Sequence, residues 1–344
     1  DVYKRQSDML WCFGHLLRLR GTLPESAVFR GLELRDLVHE DIYRRLGFRC
    51  AVRGLMNYRF AMALGRAGVQ PALIIDWFEN HPMDRGWNAG FNRSFGDTPR
   101  FGYTGFFPAG MSYRPTSAEK RAGVLPPRFL LIGEGFSQDM AEFLPDIRYR
   151  TAPAFRYPLW PRDTMEGHIA TSTQTLDILV AMPYYEKMCQ TVLEVVSYLQ
   201  AHRPDWRFVI KAHPAMPLSR FAEAEPLLAG GAVETDDSLD TWLPRCVAMV
   251  TGSQASTILE SAALGIPAVI VHRTGSEAEV SIPRVMPAEL VRVCHNGKDA
   301  LDALDALTSN RSSGDSTSSA LGFEFQRRCF TPVTQETVAA MLAA

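Results

Sequence analysis

The second half of the chain alternates short apolar runs with stretches of helical period, and that rhythm limits the possible folds more than any other feature. Runs of strand length stand at residues 176–182, 206–212, 232–235, 247–251, 267–271 and 290–294. Between them, 184–201 places Met188, Val192, Val195, Val196 and Leu199 at helical spacing. Further helices are expected over 218–229, 239–245, 255–264 and 298–307. Strands linked by helices through short loops must run parallel, and a parallel sheet needs helices on both faces. The second half therefore reads as a Rossmann-like layer.

The first half is less regular. Residues 24–66 read as mostly helical, with Leu34, Leu37, Ile42 and Leu46 as apolar positions. Strand candidates are 72–78, 100–103 and 129–133, which are few for a complete α/β domain. The chain has no initiator Met, and its first six residues, Asp1-Val-Tyr-Lys-Arg-Gln6, fit no later pattern and resemble translated sequencing-adapter read-through. The expected division is a non-native leader over 1–6, an incomplete N-terminal domain over 7–160, and a Rossmann-like domain over 161–310. A Ser-rich loop and helical tail fill 311–344. The segment 152–162, with Pro153, Pro158 and Pro161, reads as the interdomain connection. The Ser-rich stretch 308–320 reads as a surface loop, followed by helices over 323–330 and 335–344.

Composition removes several classes. Lys plus Arg is 36 against 38 Asp plus Glu, a net charge of −2, without the overall basicity of an electrostatic nucleic-acid binder. A hydrophobic share of 46% is too high for a disordered chain. The longest apolar run, 262–271, already contains Gly265 and Pro267 and falls short of the roughly 18 residues of a membrane span. Six cysteines, at 12, 50, 189, 246, 294 and 329, form no C-x-x-C pair, so reduced, mostly buried thiols and a cytoplasmic location are expected.

Two constellations carry chemistry. Lys211-Ala-His213-Pro214 stands at the carboxyl end of an expected strand, where ligands of open α/β sheets bind. Lys211 and His213 can both face an anion there; a surface Lys and a structural His before a turn is the competing reading. The second is Thr251-Gly-Ser253-Gln-Ala-Ser256-Thr257-Ile-Leu-Glu260, a strand end opening into a helix. Ser256 or Thr257 can cap that helix or donate to a phosphate, and Glu260 stands one turn in. An ordinary strand–helix turn with a solvated Glu260 explains the same residues. Gly265 is expected to end the helix and Pro267 to open the next strand.

Taken together, the pair resembles the signature of GT-B-fold transferases that build bacterial surface carbohydrates. That group includes capsule Kdo and sialic-acid transferases and CDP-glycerol glycerophosphotransferases. The resemblance assigns Lys211, His213, Ser256 and Thr257 to donor phosphate and Glu260 to ribose, with Ser253 in the same donor loop. Ala212 stands where many members have Gly. In the first half, Glu79-Asn80 and Arg85 resemble an E-N-x-x-x-x-R stretch, and Phe101-Gly-Tyr103 resembles a following block in which Thr104 and Gly105 replace Gln and His.

A transferase needs a base for the acceptor hydroxyl. Glu79, after the run 72–78, leads; Asp76 and Glu134 are rivals, and a Glu79–Arg85 pair holding the loop is the structural alternative. His213 would neutralise the leaving phosphate together with Lys211, so that no metal or other cofactor is expected. Asp236-Asp237 reads as a solvated turn. His168, Trp160, Arg148 and Arg150 have structural or surface readings, and Arg156 is a candidate acceptor contact. The sequence thus implies an α/β, GT-B-like enzyme with two Rossmann-like domains facing a cleft, the N-terminal one truncated. Its expected activity is metal-independent transfer of a sugar from a nucleotide-linked donor, a CMP-linked one by resemblance, to a surface polysaccharide or lipid-linked acceptor. A glycerophosphotransferase or sugar-nucleotide epimerase of the same fold is one alternative; a non-catalytic nucleotide-sugar-binding subunit of an assembly complex is another. Partners would be the donor and a polysaccharide or glycolipid acceptor, with no nucleic acid, and contact at the inner membrane or an export complex.

Overall fold

The computed structural model describes residues 5–19, 26–29, 31–43, 45–107, 114–157, 176–253, 255–273, 275, 280–312 and 317–343. Its core is a six-stranded parallel sheet formed by β7 (Leu176–Ala181), β8 (Trp206–Lys211), β9 (Val233–Glu234), β10 (Ala248–Gly252), β11 (Ala268–Val271) and β12 (Val291–Cys294). The spatial order is β12-β11-β10-β7-β8-β9. The chain winds outward from β7 in one direction and then outward from β10 in the other, the doubly wound order with its reversal between β7 and β10.

Alternation along β7 explains both faces. Ile178, Val180 and Met182 join Cys189, Val192, Val196 and Leu199 of α8 (Glu186–His202), with Ala300 and Leu304 of α12 (Gly297–Ser312), in one buried cluster. Leu179 and Ala181 join the opposite cluster, with Ile258, Leu259 and Ala262 of α11 (Thr257–Ala263) and Phe325 of α13 (Thr317–Cys329). Both faces being covered, β10 and β11 are buried at every residue. Shorter helices α9 (Ala224–Ala229) and α10 (Leu239–Trp242) fill the remaining links. Helix α11 ends at Ala263, and Gly265 follows at φ 67°, with Ser318 so close that a Cβ there would collide with its carbonyl oxygen.

The first half holds a second parallel sheet, β3 (Ile74–Trp77), β4 (Arg100–Thr104), β5 (Phe129–Leu131) and β6 (Tyr149–Thr151), in spatial order β3-β4-β5-β6. It has four strands where the sequence offers three. The missed one, Tyr-Arg-Thr, is exposed along its length, so no apolar alternation announces it. Helix α5 (Pro82–Ser94) packs on β3, and α4 (Arg45–Arg66) packs on α5. They cross closely at glycines, since a Cβ on Gly86 would overlap the Gly54 carbonyl and one on Gly90 would lie 2.6 Å from Ala61 Cβ. Helices α6 (Ser117–Arg121) and α7 (Ser137–Ala141) flank β5. Ahead of α4 lie α1 (Gln6–Phe13), α2 (His15–Leu19), a two-residue hairpin of β1 (Val28–Phe29) and β2 (Leu32–Glu33), and α3 (Arg35–Tyr43). Of the six opening residues, Gln6 starts α1, and 1–4 lie outside the described residues.

The link between the sheets departs from the expectation of a bare connection. Through Tyr157 it is bonded in place: Ala152 N–H donates to Leu131 O at 2.8 Å and Ala154 N–H to Thr331 O at 2.9 Å. Pro158 and Pro161 lie outside the described residues. The Ser-rich stretch is also not simply a loop, because α12 runs on to Ser312 and α13 already begins at Thr317. After α13 the chain returns to the first sheet, where Thr331 N–H donates to Ile132 O at 2.7 Å and Phe330 packs 4.8 Å from the Tyr157 ring. Helix α14 (Gln335–Leu342) closes the described chain, capped by Thr334. One apolar cluster consequently spans both sheets, from Tyr103 and Ile132 to Leu179 and Met249.

Candidate functional site

In a doubly wound sheet, the strand connections diverge at the reversal and leave a crevice beyond the strand ends. Here that point lies after β7 and β10. Thr251 Oγ1 donates to Ala181 O at 2.7 Å and ties the two strands together at its floor. A Cβ on Gly252 would lie 2.5 Å from Met188 Cγ and 3.0 Å from Pro183 Cγ, so only glycine lets the start of α8 sit this low. Ser253 is buried there, its hydroxyl 3.9 Å from Met188 Sδ.

His213 follows β8, next to β7. Its Nδ1 accepts the Ala215 N–H at 3.1 Å, so in the neutral ring the proton sits on Nε2. The ring stands edge to face with Tyr184, centroids 5.3 Å apart. Tyr184 and Tyr185 are both half exposed on the loop after β7. The structure thus sets the His213–Tyr184 pair beyond β8 and β7 and Ser253 beyond β10, on the two sides of the reversal. Lys211 ends β8, and its Nζ donates to the Asp236 carbonyl at 2.7 Å, so the exposed turn at Asp236-Asp237 holds the lysine by its backbone.

The helix start differs from the capping expectation. Ser256 occupies the cap position of α11 in helical conformation, and its side chain makes no capping bond; the Thr257 hydroxyl is buried with no hydrogen-bond partner among the described residues. Glu260 is mostly buried rather than solvated. Burial first, and then the Asp240 carboxylate, push its pKa up to about 7, while Arg156 pulls the other way. Arg156 and Tyr157 come from the segment after β6, so this corner belongs to both sheets. The Tyr157 hydroxyl is buried with no partner among the described residues, and burial raises its pKa above the ordinary phenol range.

On the first sheet, Glu79 stands just beyond β3. Its Oε1 accepts the Trp77 indole N–H at 2.7 Å, and its Oε2 pairs with His81 Nε2 at 3.0 Å. Arg85 does not pair with it: Arg85 bridges Glu119 at 2.7 Å, which also receives the Asn80 amide at 3.2 Å. Asn80 is buried at φ 57°, a left-handed turn that an Asn side chain tolerates, so Asn80 and Arg85 fix the corner between β3 and α5. Asp76, inside β3, accepts the Asn88 amide at 2.9 Å; burial, with the Asp84 carboxylate adding, raises its pKa to about 7. Glu134 is exposed in the turn after β5. The Tyr103 hydroxyl donates to Pro153 O at 2.6 Å, tying β4 to the segment after β6. Arg148 precedes β6, Arg150 is exposed within it, and Trp160 and His168 lie outside the described residues. Among the described residues, no group of three or more His, Cys, Asp or Glu side chains could hold a metal ion, and no helix is long and apolar enough to cross a membrane.

Tyr184, Tyr185 and Tyr157 went unread as site residues. The first two had a signal, adjacent aromatics directly after a buried strand; the third was read only as part of a linker.

Comparison with known proteins decides the fold. The glycosyltransferase SnogD from Streptomyces nogalater superposes with a TM-score of 0.53 over 92% of this chain and 86% of its own, at 13% identity. The chain has a GT-B-like fold. The glycotransferase of kitacinnamycin gives 0.56 over 92% and 84%, at 15% identity. A UDP-GlcNAc 2-epimerase from Neisseria meningitidis bound to UDP-GlcNAc gives 0.50 over 85% and 81%, at 12% identity. No protein-family model and no curated protein sequence matches the chain.

Proposed function

We propose that this GT-B-like chain is a glycosyltransferase that holds a nucleotide-activated sugar on the six-stranded sheet and an acceptor hydroxyl on the four-stranded one. The observation that carries the reading lies at the strand reversal: His213 stands against Tyr184, and Ser253 is buried at the end of β10, where this topology opens its crevice. Lys211 and the Nε2–H of His213 supply donors for the diphosphate or phosphate of the donor, and the Ser256 and Thr257 hydroxyls add two more. Tyr184 and Tyr185 offer aromatic faces to a base, and Glu260 a carboxyl to ribose.

In the transfer, Glu79 takes the proton of the acceptor hydroxyl as that oxygen bonds to the anomeric carbon. The bond from that carbon to the donor phosphate breaks, and its electron pair leaves on the phosphate oxygen, where Lys211 and His213 stabilise it. The sequence resemblance favours a CMP-linked donor, whereas the Neisseria epimerase is bound to UDP-GlcNAc. The epimerase reading shares the fold and predicts UDP release from a UDP-sugar without any acceptor. Polysaccharide or lipid-linked acceptors, and the domain division at about residue 160, belong to the same proposal.

The test is a thermal-shift panel of CMP, CDP, UDP and GDP on the wild type and on His213→Ala. At least one nucleotide should raise the melting temperature of the wild type by mass action, and by clearly less in the variant. A wild type that responds to none of the four overturns the reading.

A further inference from the structure

Helices α1 and α2 are amphipathic the wrong way round for a helix that only packs on its own protein. Their buried side carries Asp8, hydrogen-bonded to Arg59 Nε of α4 at 2.6 Å, and Cys12, with Trp11 stacked 6.0 Å from the Tyr58 ring. Their outward side carries Leu10, Phe13 and Leu17, spaced three and four residues apart and 73%, 54% and 72% exposed. Met9 lies beside them at 41%. Ordinary packing puts an apolar stripe inward, because leaving it in water forfeits its burial. Val28, Leu32 and Leu37 of the same N-terminal segment are also more than 60% exposed.

Charge is divided in a matching way. Residues 7–66 contain ten arginines against six Asp and Glu, a net +4, while the rest of the chain is acidic enough to bring the whole to −2. Asp8 is spent on Arg59, whereas Arg18, Arg35, Arg49, Arg53 and Arg66 are exposed. Phe13 lies 6.4 Å from Phe48 of α4, one residue before Arg49, so apolar and basic side chains neighbour each other there. Exposed Leu and Phe side chains beside a surplus of arginine match the two halves of an anionic bilayer surface, acyl chains below and phosphates above.

We propose that the α1–α2 face, flanked by the arginines of α4, is a docking surface for an anionic lipid membrane. The apolar stripe enters the headgroup boundary while Arg18, Arg49 and Arg53 meet lipid phosphates. The chain attaches at this surface without spanning it, which places the four-stranded sheet, where the acceptor is proposed to bind, nearest the lipid. The inference does not depend on the sugar-transfer reading and stands or falls separately.

The experiment is co-sedimentation of the full chain with vesicles of phosphatidylcholine alone and with vesicles of equal parts phosphatidylcholine and phosphatidylglycerol. Binding is expected to the mixed vesicles, weakening as salt is raised. The double variant Leu10→Glu/Leu17→Glu should lose at least about tenfold in partition with an unchanged melting temperature, because both side chains are exposed. Arg49→Glu/Arg53→Glu, on another helix, should lose binding to the mixed vesicles as well and serves if the first variant is poorly folded. No binding to the mixed vesicles overturns the proposal, as does equal binding to neutral ones. It is also overturned if the leucine variant turns a dimer into a monomer and leaves lipid binding intact, since the stripe then meets a second copy of the chain.

Discussion

Replacing Glu260 by Gln removes one proton equilibrium and leaves the shape of the corner nearly intact. The folded protein holds the Glu260 proton up to about pH 7, against an ordinary value of 4.5. The unfolded chain releases it at the ordinary value, so between these two pH values the native state binds more protons. Stability contributed by this group is therefore full below pH 4.5 and lost as pH rises through 7. At 1.36 kcal/mol per unit, the ceiling on that loss is about 3 kcal/mol, reduced by whatever solvent reaches the partly exposed carboxyl. Gln cannot ionise. The variant should match the wild type near pH 5 and melt higher at pH 8, by a few degrees for about 3 kcal/mol in a chain of this size. Several exposed carboxylates, Asp146 and Asp205 among them, have lowered pKa values that tilt the wild-type curve the other way. The assay is therefore the difference between the two proteins in melting temperature, taken at pH 5, 6, 7 and 8 without ligand. A difference that stays flat with pH refutes the reasoning. Binding gives a second readout: a ribose hydroxyl donating to the carboxylate favours its anion, so nucleotide binding at pH 7 should release part of a proton. Titration calorimetry in buffers of different ionisation enthalpy would see that release in the wild type and not in Glu260→Gln.

Two further outcomes test other parts of the molecule. Glu79→Gln should lower kcat by about 10²–10⁴-fold in a sugar-transfer assay, while Asp76→Asn changes it little and raises the melting temperature above pH 7, where the buried Asp76 carboxylate is charged beside Asp84; the opposite pattern of rates would move the base to Asp76. Gly86→Ala should cost about 1–3 kcal/mol in denaturant unfolding, because α4 and α5 must separate to admit one methyl group, and an unchanged midpoint would show that the crossing is not close-packed.

The six-stranded sheet was legible because parallel strands buried on both faces must be apolar at nearly every position, and 247–251 and 267–271 are. Its reversal could not be read, because strand order is set by which helices cover which face, not by the runs themselves. β6 was invisible for the converse reason: Tyr149, Arg150 and Thr151 bury nothing and are held by backbone pairing to β5. At the candidate site, the position of Lys211 and His213 at a strand end was legible in the sequence. What held them was not: the partners are a backbone carbonyl at Asp236, a backbone N–H at Ala215 and the ring of Tyr184, none of which spacing encodes. Glu260 was read as one turn into its helix but as solvated or ribose-facing. Its neighbours Arg156 and Tyr157 arrive from about a hundred residues earlier, and only the folded chain brings them there.

The return of the chain after α13 has a mechanical consequence. The polypeptide passes from the first sheet to the second between Thr151 and Leu176, and comes back at Thr331, which bonds to both Ile132 and Ala154. Two bodies joined at a single point can swing in any direction. Here the two crossings lie side by side, Ala154 N–H donating to Thr331 O, so each braces the other where the sheets join. Gly133, whose missing side chain leaves room for Cys329 to lie against it, sits at the second joint. A side chain there would push the Cys329 backbone off the first sheet and loosen the joint at which both crossings meet.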